Sequence, residues 1–292
     1  MEGCEWGRVS VTGSDAGKLL QGQLTQDVTR ASAVCAPLAA WCSPQGRILA
    51  LGRLLLSGPD RLEFLIPAEL TAAVARRLAM FVLRADARVA DEGGGWTGAV
   101  VAAEAARRRG AAPGPAPGAA IRSGECWWIR LPGPAGQLEV TGPTAAITAL
   151  DLTGEERVSR VACGLPVVLE ATREAFIPQM LNLDLLDALS FSKGCYVGQE
   201  IVARTQHLGR IKRRMARYLS DTVTALAPGD RLFRQDADAG ADSVAEVVDR
   251  DGHEVLAVVQ LAAAGLALTD ASGNPLTPAP LPYSVPELSL PD

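Results

Sequence analysis

Residues 191–208 read FSKGCYVGQEIVARTQHL. Lys193-Gly194-Cys195 has the composition of a tight loop, Gly198 closes it, and Gln199 onward reads as a helix with Ile201, Thr205 and Leu208 on one face. A loop feeding a helix start presents unpaired N–H groups and positive potential. A thiol placed there, two residues from Lys193, leans toward its thiolate. Gly194 and Gly198 let backbone approach a ligand closely. Two readings of Cys195 stand: a functional thiol, or a small hydrophobe buried in an ordinary turn.

Downstream, Arg204, Arg210, Lys212, Arg213, Arg214 and Arg217 follow with no acid between Ile201 and Ser220. Such a run is either a solvated strand face or an anion site, for the carboxylate tail of a small ligand or for RNA phosphates. From residue 211 onward short β-like runs alternate with turns. Arg213–Ser220 is one run and Pro228-Gly229-Asp230 is a turn. The runs 244–248 and 255–261 flank Asp251-Gly252, a hairpin signal. This spacing predicts a small β-barrel over 211–292.

Upstream, residues 14–28 read as a helix start with Ser14 as N-cap. GRILALGRLLL (46–56) and RLEFLI (61–66) flank Gly58-Pro59-Asp60 and predict a hairpin. Leu70, Val74, Leu78 and Phe81 fall at helical spacing over 68–83, and 87–103 is strand-like around Gly93-Gly94-Gly95. The Gly/Ala/Pro-rich stretch 110–119 reads as a mobile insertion, spanning about 104–120, within a first domain of residues 1–210. Strands near 126–131 and 138–141 and a helix over 143–150 complete an α+β first domain.

The net charge of −5 argues against a whole-protein electrostatic nucleic-acid binder. Lysine is confined to Lys18, Lys193 and Lys212. The six cysteines form no C-x-x-C pair, and with two histidines they predict no metal site. Scattered single cysteines suit a reducing compartment. The opening residues do not read as a signal peptide, and no apolar run reaches membrane-spanning length, so a cytoplasmic protein is expected.

KGCYVGQEIVAR resembles the K-G-C-Y-x-G-Q-E motif of the YgfZ family, which is related to the aminomethyltransferase T-protein of glycine cleavage. Further segments resemble the same family in order: 15–28 (DAGKLLQGQLTQDV), Pro44-Gln45-Gly46-Arg47, 160–166 (RVACGLP) and 176–184 (FIPQMLNLD). The resemblance runs from about residue 10 to 215. It implies a folate-binding, aminomethyltransferase-like domain, with two subdomains around a central cavity beside the Cys195 loop, followed by a β-barrel. It implies tetrahydrofolate as cofactor. It also implies a role in assembling or repairing iron–sulfur clusters in a subset of enzymes, including one that thiolates tRNA by radical chemistry. Client enzymes or assembly proteins would be the partners. The alternative is a true folate-dependent aminomethyltransferase.

By this resemblance Cys195, with Lys193, is the functional group, and Tyr196, Gln199 and Glu200 complete the motif, with Arg204 beyond it. Asp27 either faces the folate pocket or caps a helix. Glu139 stands where relatives place a pterin-binding glutamate, or is an exposed strand residue. Arg160 resembles an arginine that meets the folate tail, or makes a surface ion pair. Where the aminomethyltransferases carry two aspartates after the GRIL-like segment, this chain has Ala50 and Leu51, and it has Pro67-Ala68 for their Asn-Ala. Aminomethyl transfer needs a carboxylate near the reacting nitrogen. Folate binding without transfer is therefore expected.

Overall fold

A computed structural model describes residues 5–133, 136–154, 156–208, 211–220, 226–236 and 241–286. The first lobe is built from β1 (Trp6–Thr12), α1 (Ala16–Gln21), β2 (Leu38–Cys42), β3 (Ile48–Gly58), β4 (Arg61–Pro67), α2 (Ala68–Ala79) and β5 (Arg88–Asp91). The second holds β6 (Trp96–Val101), α3 (Ala103–Arg108), β7 (Ala120–Ser123), β8 (Cys126–Arg130), β9 (Leu138–Pro143), α4 (Thr144–Ala149) and β10 (Arg157–Val158). Their strands make one ten-stranded sheet in the order β2-β3-β4-β1-β6-β9-β8-β7, with β5 on β1 and β10 on β6.

A long stretch with little regular structure leads to α5 (Gln199–His207). Then β11 (Arg213–Ser220), β12 (Arg231–Arg234), β13 (Ala245–Asp251), β14 (Glu254–Gln260), β15 (Leu268–Thr269) and β16 (Pro275–Ala279) close into a barrel. Both the β3–β4 hairpin and the β13–β14 hairpin form where the turn residues predict them.

Alternation decides which side chains go where. In β14, Val255, Ala257 and Val259 fill the barrel, while Leu256 and Val258 face outward. They pack, with Met215 and Val248, against Leu181, Leu183 and Leu186 of the long connection. Arg214, 2% exposed, reinforces this junction with a two-pronged bond to Asp184 at 2.7 and 2.9 Å. Separate apolar clusters lie under α1 and α2 in one lobe and under α3 and α4 in the other.

Several local expectations give way to tertiary partners. Ser14 is not a helix cap: its hydroxyl bonds to Asp86 at 2.7 Å, and Asp15 occupies the cap position of α1. The stretch expected to be a mobile insertion begins as α3. Beyond it, Gly118 and Ala120 are stitched to Ala36, Arg130 and Val34 by backbone bonds of 2.8–2.9 Å. Along α5, Val202 is the buried residue and Leu208 is 87% exposed, because the helix ends at His207 before its face can return inward.

Candidate functional site

The dispersed segments singled out in the sequence meet around the 190–200 loop. Thr25, fully buried, accepts from Ala40 N at 2.9 Å and donates to Ala188 O at 2.8 Å, while its carbonyl takes Ser190 N. Gln26 Nε2 donates to Asp187 O at 2.6 Å. Lys193 reaches across with its ammonium bonded to Leu24 O at 2.7 Å and Gln26 O at 3.0 Å, and lies 5.1 Å from the Tyr196 ring centre. Burial pulls the Lys193 pKa down to about 8, with Asp27 opposing. The lysine thus pins the loop onto the α1 turn.

The other motif residues tighten the same fold-back. Val197 N bonds to Gly22 O, and the Gln199 side chain accepts from Tyr196 N at 3.2 Å. Gly198 has φ +82°, and a Cβ there would lie 2.4 Å from Ser43 O, so only glycine fits against the Ser43–Gly46 turn. Tyr196 is buried, and its hydroxyl has no partner among the described residues. Against this fixed frame Cys195 is exposed. Of the other described cysteines, Cys42, Cys126 and Cys163 are buried and Cys35 is half-buried. Cys4 lies outside the described residues. Glu200 and Arg204 are exposed on α5.

Asp27 caps a 3₁₀ turn over Val28–Arg30, accepting from Thr29 N at 3.0 Å, from Thr29 Oγ1 at 2.8 Å and from Gln21 at 3.0 Å. The Thr29 hydroxyl bond leads in holding its pKa below the ordinary carboxylate value.

Glu139 and Arg160 come together in the structure. Glu139 is 4% exposed and each of its oxygens holds a guanidinium: Oε2 that of Arg53 at 2.8 Å, Oε1 that of Arg160 at 2.6 Å. Burial alone would raise its pKa, but the two arginines overcome this and hold it at about 2. Arg160 also lies over the Trp6 ring at 5.1 Å. The recess beside Arg53, walled by Leu38, Leu186, Asp187 and Gly118, is too narrow for a water molecule.

The roomy space is elsewhere. A cleft of about 1250 Å³ opens between the two lobes and the barrel. Its walls include Val158, Val161 and Leu169, with Arg160, Arg157 and Asp249 as charged groups. None of residues 190–208 lines it, so the cavity expected beside Cys195 is not where the space lies. Asp249, which sequence reading passed over, follows a register shift in β13 after Val247. Burial raises its carboxyl to about 6, with Arg160 opposing.

In the downstream basic run, Arg214 is spent on Asp184 and Arg217 bonds to Glu254 at 2.5 Å. Arg204, Lys212 and Arg213 remain exposed, and Arg210 falls outside the described residues. Ala50 and Leu51 are both buried, in two different apolar clusters. No helix among the described residues is long and apolar enough to cross a membrane, and no cluster of three or more metal-ligating side chains occurs among them.

No protein-family profile matches the sequence. The chain is 31% identical to an uncharacterised protein of Haemophilus influenzae, over 78% of this chain and 75% of that one. It is 30% identical to the tRNA-modifying protein YgfZ of Escherichia fergusonii, over 72% of this chain and 68% of that one. It is 27% identical to the protein of the same name from Colwellia psychrerythraea, over 85% and 84%. Among solved structures it resembles the glycine cleavage system aminomethyltransferase T of Bartonella henselae. There the TM-score is 0.67 at 15% identity, covering 96% of this chain and 84% of that one, so the two share a fold. With this identity and coverage, and with its motif segments folded into one loop-bearing unit, the chain belongs to the YgfZ family.

Proposed function

We propose that this protein is a cytoplasmic, tetrahydrofolate-binding accessory factor for assembly or repair of iron–sulfur clusters. Its clients are a subset of enzymes that includes tRNA-modifying radical enzymes. Cys195 is the group it offers to them. The observation that carries this reading is the contrast at the loop. Lys193, Tyr196, Gly198 and Gln199 are all engaged in holding the backbone, and the thiol between them faces outward. A loop pinned by a half-buried lysine yet carrying an exposed cysteine is built to present that sulfur.

A folate requires a two-ring head site, an acceptor for its ring donors and cations for its tail. The cleft reaching Arg160 and Arg157 has the room and the cations; the Arg53 recess has not the room. Ala50 and Leu51 supply no carboxylate, which favours binding without aminomethyl transfer. Arg214 and Arg217 are tied to acids, which disfavours strong nucleic-acid binding through that run.

Rescue of a strain lacking the protein tests this. Wild type restores tRNA thiolation by an iron–sulfur enzyme, and Cys195→Ala does not, while Cys195→Ala still binds reduced folate. Equal rescue by both proteins would defeat the assignment of Cys195.

A further inference from the structure

The presented thiol stands beside a surface that the fold leaves uncovered. α5 ends at His207, and the N–H of Leu208 closes it by bonding to Arg204 O at 2.9 Å. The Leu208 backbone is therefore held, while the residue is 87% exposed. Phe191, at the start of the Cys195 loop, lies edge-on to His207 with ring centres 5.5 Å apart, and it is exposed as well. A lone exposed apolar residue is ordinary. Here two of them are brought to one ordered helix end, and the segment that joins them carries the thiol.

The charge around this end is one-sided. Arg204 lies one turn before Leu208, and Lys212 and Arg213 follow it. All three are exposed, with no ion-pair partner among the described residues. Glu200, at the far end of α5, is the nearest acid in sequence. The chain as a whole carries −5, so the patch has the opposite sign to the rest of the protein. A patch of this kind steers and orients an acidic partner.

The mixture of groups discriminates among occupants. Contacts to a phosphate backbone use cations and polar groups and have little use for a projecting leucine. A second copy in a two-fold contact would set two positive patches face to face. A protein surface takes apolar anchors at its centre and charges at its rim.

We propose that this surface docks a protein partner through an apolar pocket rimmed by Asp and Glu carboxylates. Phe191 and Leu208 fill the pocket, Arg204, Lys212 and Arg213 meet the rim, and the partner is held against Cys195. The inference rests on the reading of Cys195 as the group offered to iron–sulfur enzymes, and it makes the docked partner the client enzyme itself.

The test measures binding of the full chain to the purified tRNA-thiolating iron–sulfur enzyme of the rescue assay, by biolayer interferometry at low and raised salt. Five proteins are compared: wild type, Leu208→Ser, Arg204→Glu, Cys195→Ala and Arg122→Glu. The last reverses a like charge at an exposed position of β7, at the end of the sheet. Thermal melting checks each fold, and Leu208→Ser is expected to melt as wild type does, since the side chain it removes is exposed. Leu208→Ser and Arg204→Glu should each weaken binding about fivefold or more, while Cys195→Ala and Arg122→Glu leave it unchanged. Raised salt should slow wild-type association. A smaller loss in Leu208→Ser and Arg204→Glu overturns the inference, as does absence of wild-type binding. So does a loss in these variants of tRNA binding, or of self-association in sedimentation, in place of enzyme binding. Rescue separates the two readings. If Cys195→Ala fails to rescue while Leu208→Ser and Arg204→Glu rescue fully, the docking surface is wrong and the thiol reading stands. If Cys195→Ala rescues as wild type does, the thiol reading falls and the inference with it.

Discussion

Glu139 and Asp249 are both carboxyls within electrostatic reach of Arg160, and their surroundings push them in opposite directions. Glu139 is sealed between two guanidiniums and held at about 2. Asp249 is desolvated with only its neighbour's N–H for a partner and is raised to about 6. Burial penalises both charges. What differs is compensation: two contact ion pairs in one case, and in the other the more distant charge of Arg160, whose guanidinium is engaged by Glu139. A saturated buried carboxylate keeps its charge at low pH, whereas an undersupplied one takes up a proton earlier.

The contrast can be broken most severely by removing one arginine. Arg53→Met leaves Glu139 buried with a single partner and should cost about 3–5 kcal/mol, measured by denaturant unfolding. A loss under about 1 kcal/mol would mean that the triad is not holding the lobes. Acid should probe the same site next. A carboxyl whose folded pKa is depressed contributes stability that is present above its unfolded value and lost as pH falls through the folded one. Glu139 should therefore contribute about 3 kcal/mol at neutral pH, lost from about pH 4.5 downward toward 2. Glu139→Gln should flatten that limb of the stability–pH curve.

Asp249 should show the reverse sign. Its folded pKa is raised, so a penalty against folding builds as pH rises above the ordinary carboxylate value of 3.8 and is complete once pH passes about 6. Asp249→Asn should gain about 1–2 kcal/mol at pH 7 and well under about 1 kcal/mol at pH 4. A loss at pH 7 would mean that the charge is already compensated. The smallest effect is expected at the loop, whose lysine is also desolvated. Lys193→Met should cost about 1 kcal/mol in global stability, by leaving Leu24 O and Gln26 O unpaired. It should also raise amide exchange over residues 190–198, while Cys195 stays reactive toward alkylation.

Much of the architecture was legible because its signals are local. The 48–67 and 245–260 hairpins carry turn residues between apolar runs, and α2 carries its stripe at Leu70, Val74 and Leu78. β1 carries a weak signal: Val9 and Val11 alternate with polar residues, but Gly7 and Arg8 dilute the run. β2 is mostly small residues and reads as nothing in particular. The Cys195 loop was legible as a unit, since its motif is contiguous.

The charged site was legible only in part: the resemblance singles out Glu139 and Arg160, but not that they meet each other and Arg53. Glu139 meets partners 86 and 21 residues away in sequence, and nothing in QLEV announces that both guanidiniums arrive. Asp249 sits in VVDRDG, which reads as strand end and turn; only the register shift and the packing of the barrel against the lobes turn it toward the cleft. Ser14 fails as a cap for the same reason, since Asp86 claims its hydroxyl from a distance of 72 residues.

The opposed states of the two carboxyls can be read directly by carbon-detected NMR of the full chain, titrated from pH 8 to 4. Asp249 Cγ should titrate with a midpoint near 6 while Glu139 Cδ stays in its ionised position throughout. A Glu139 resonance that titrates inside this window, or an Asp249 resonance that remains ionised down to pH 4, would contradict the account of one acid saturated by its two arginines and the other left undercompensated.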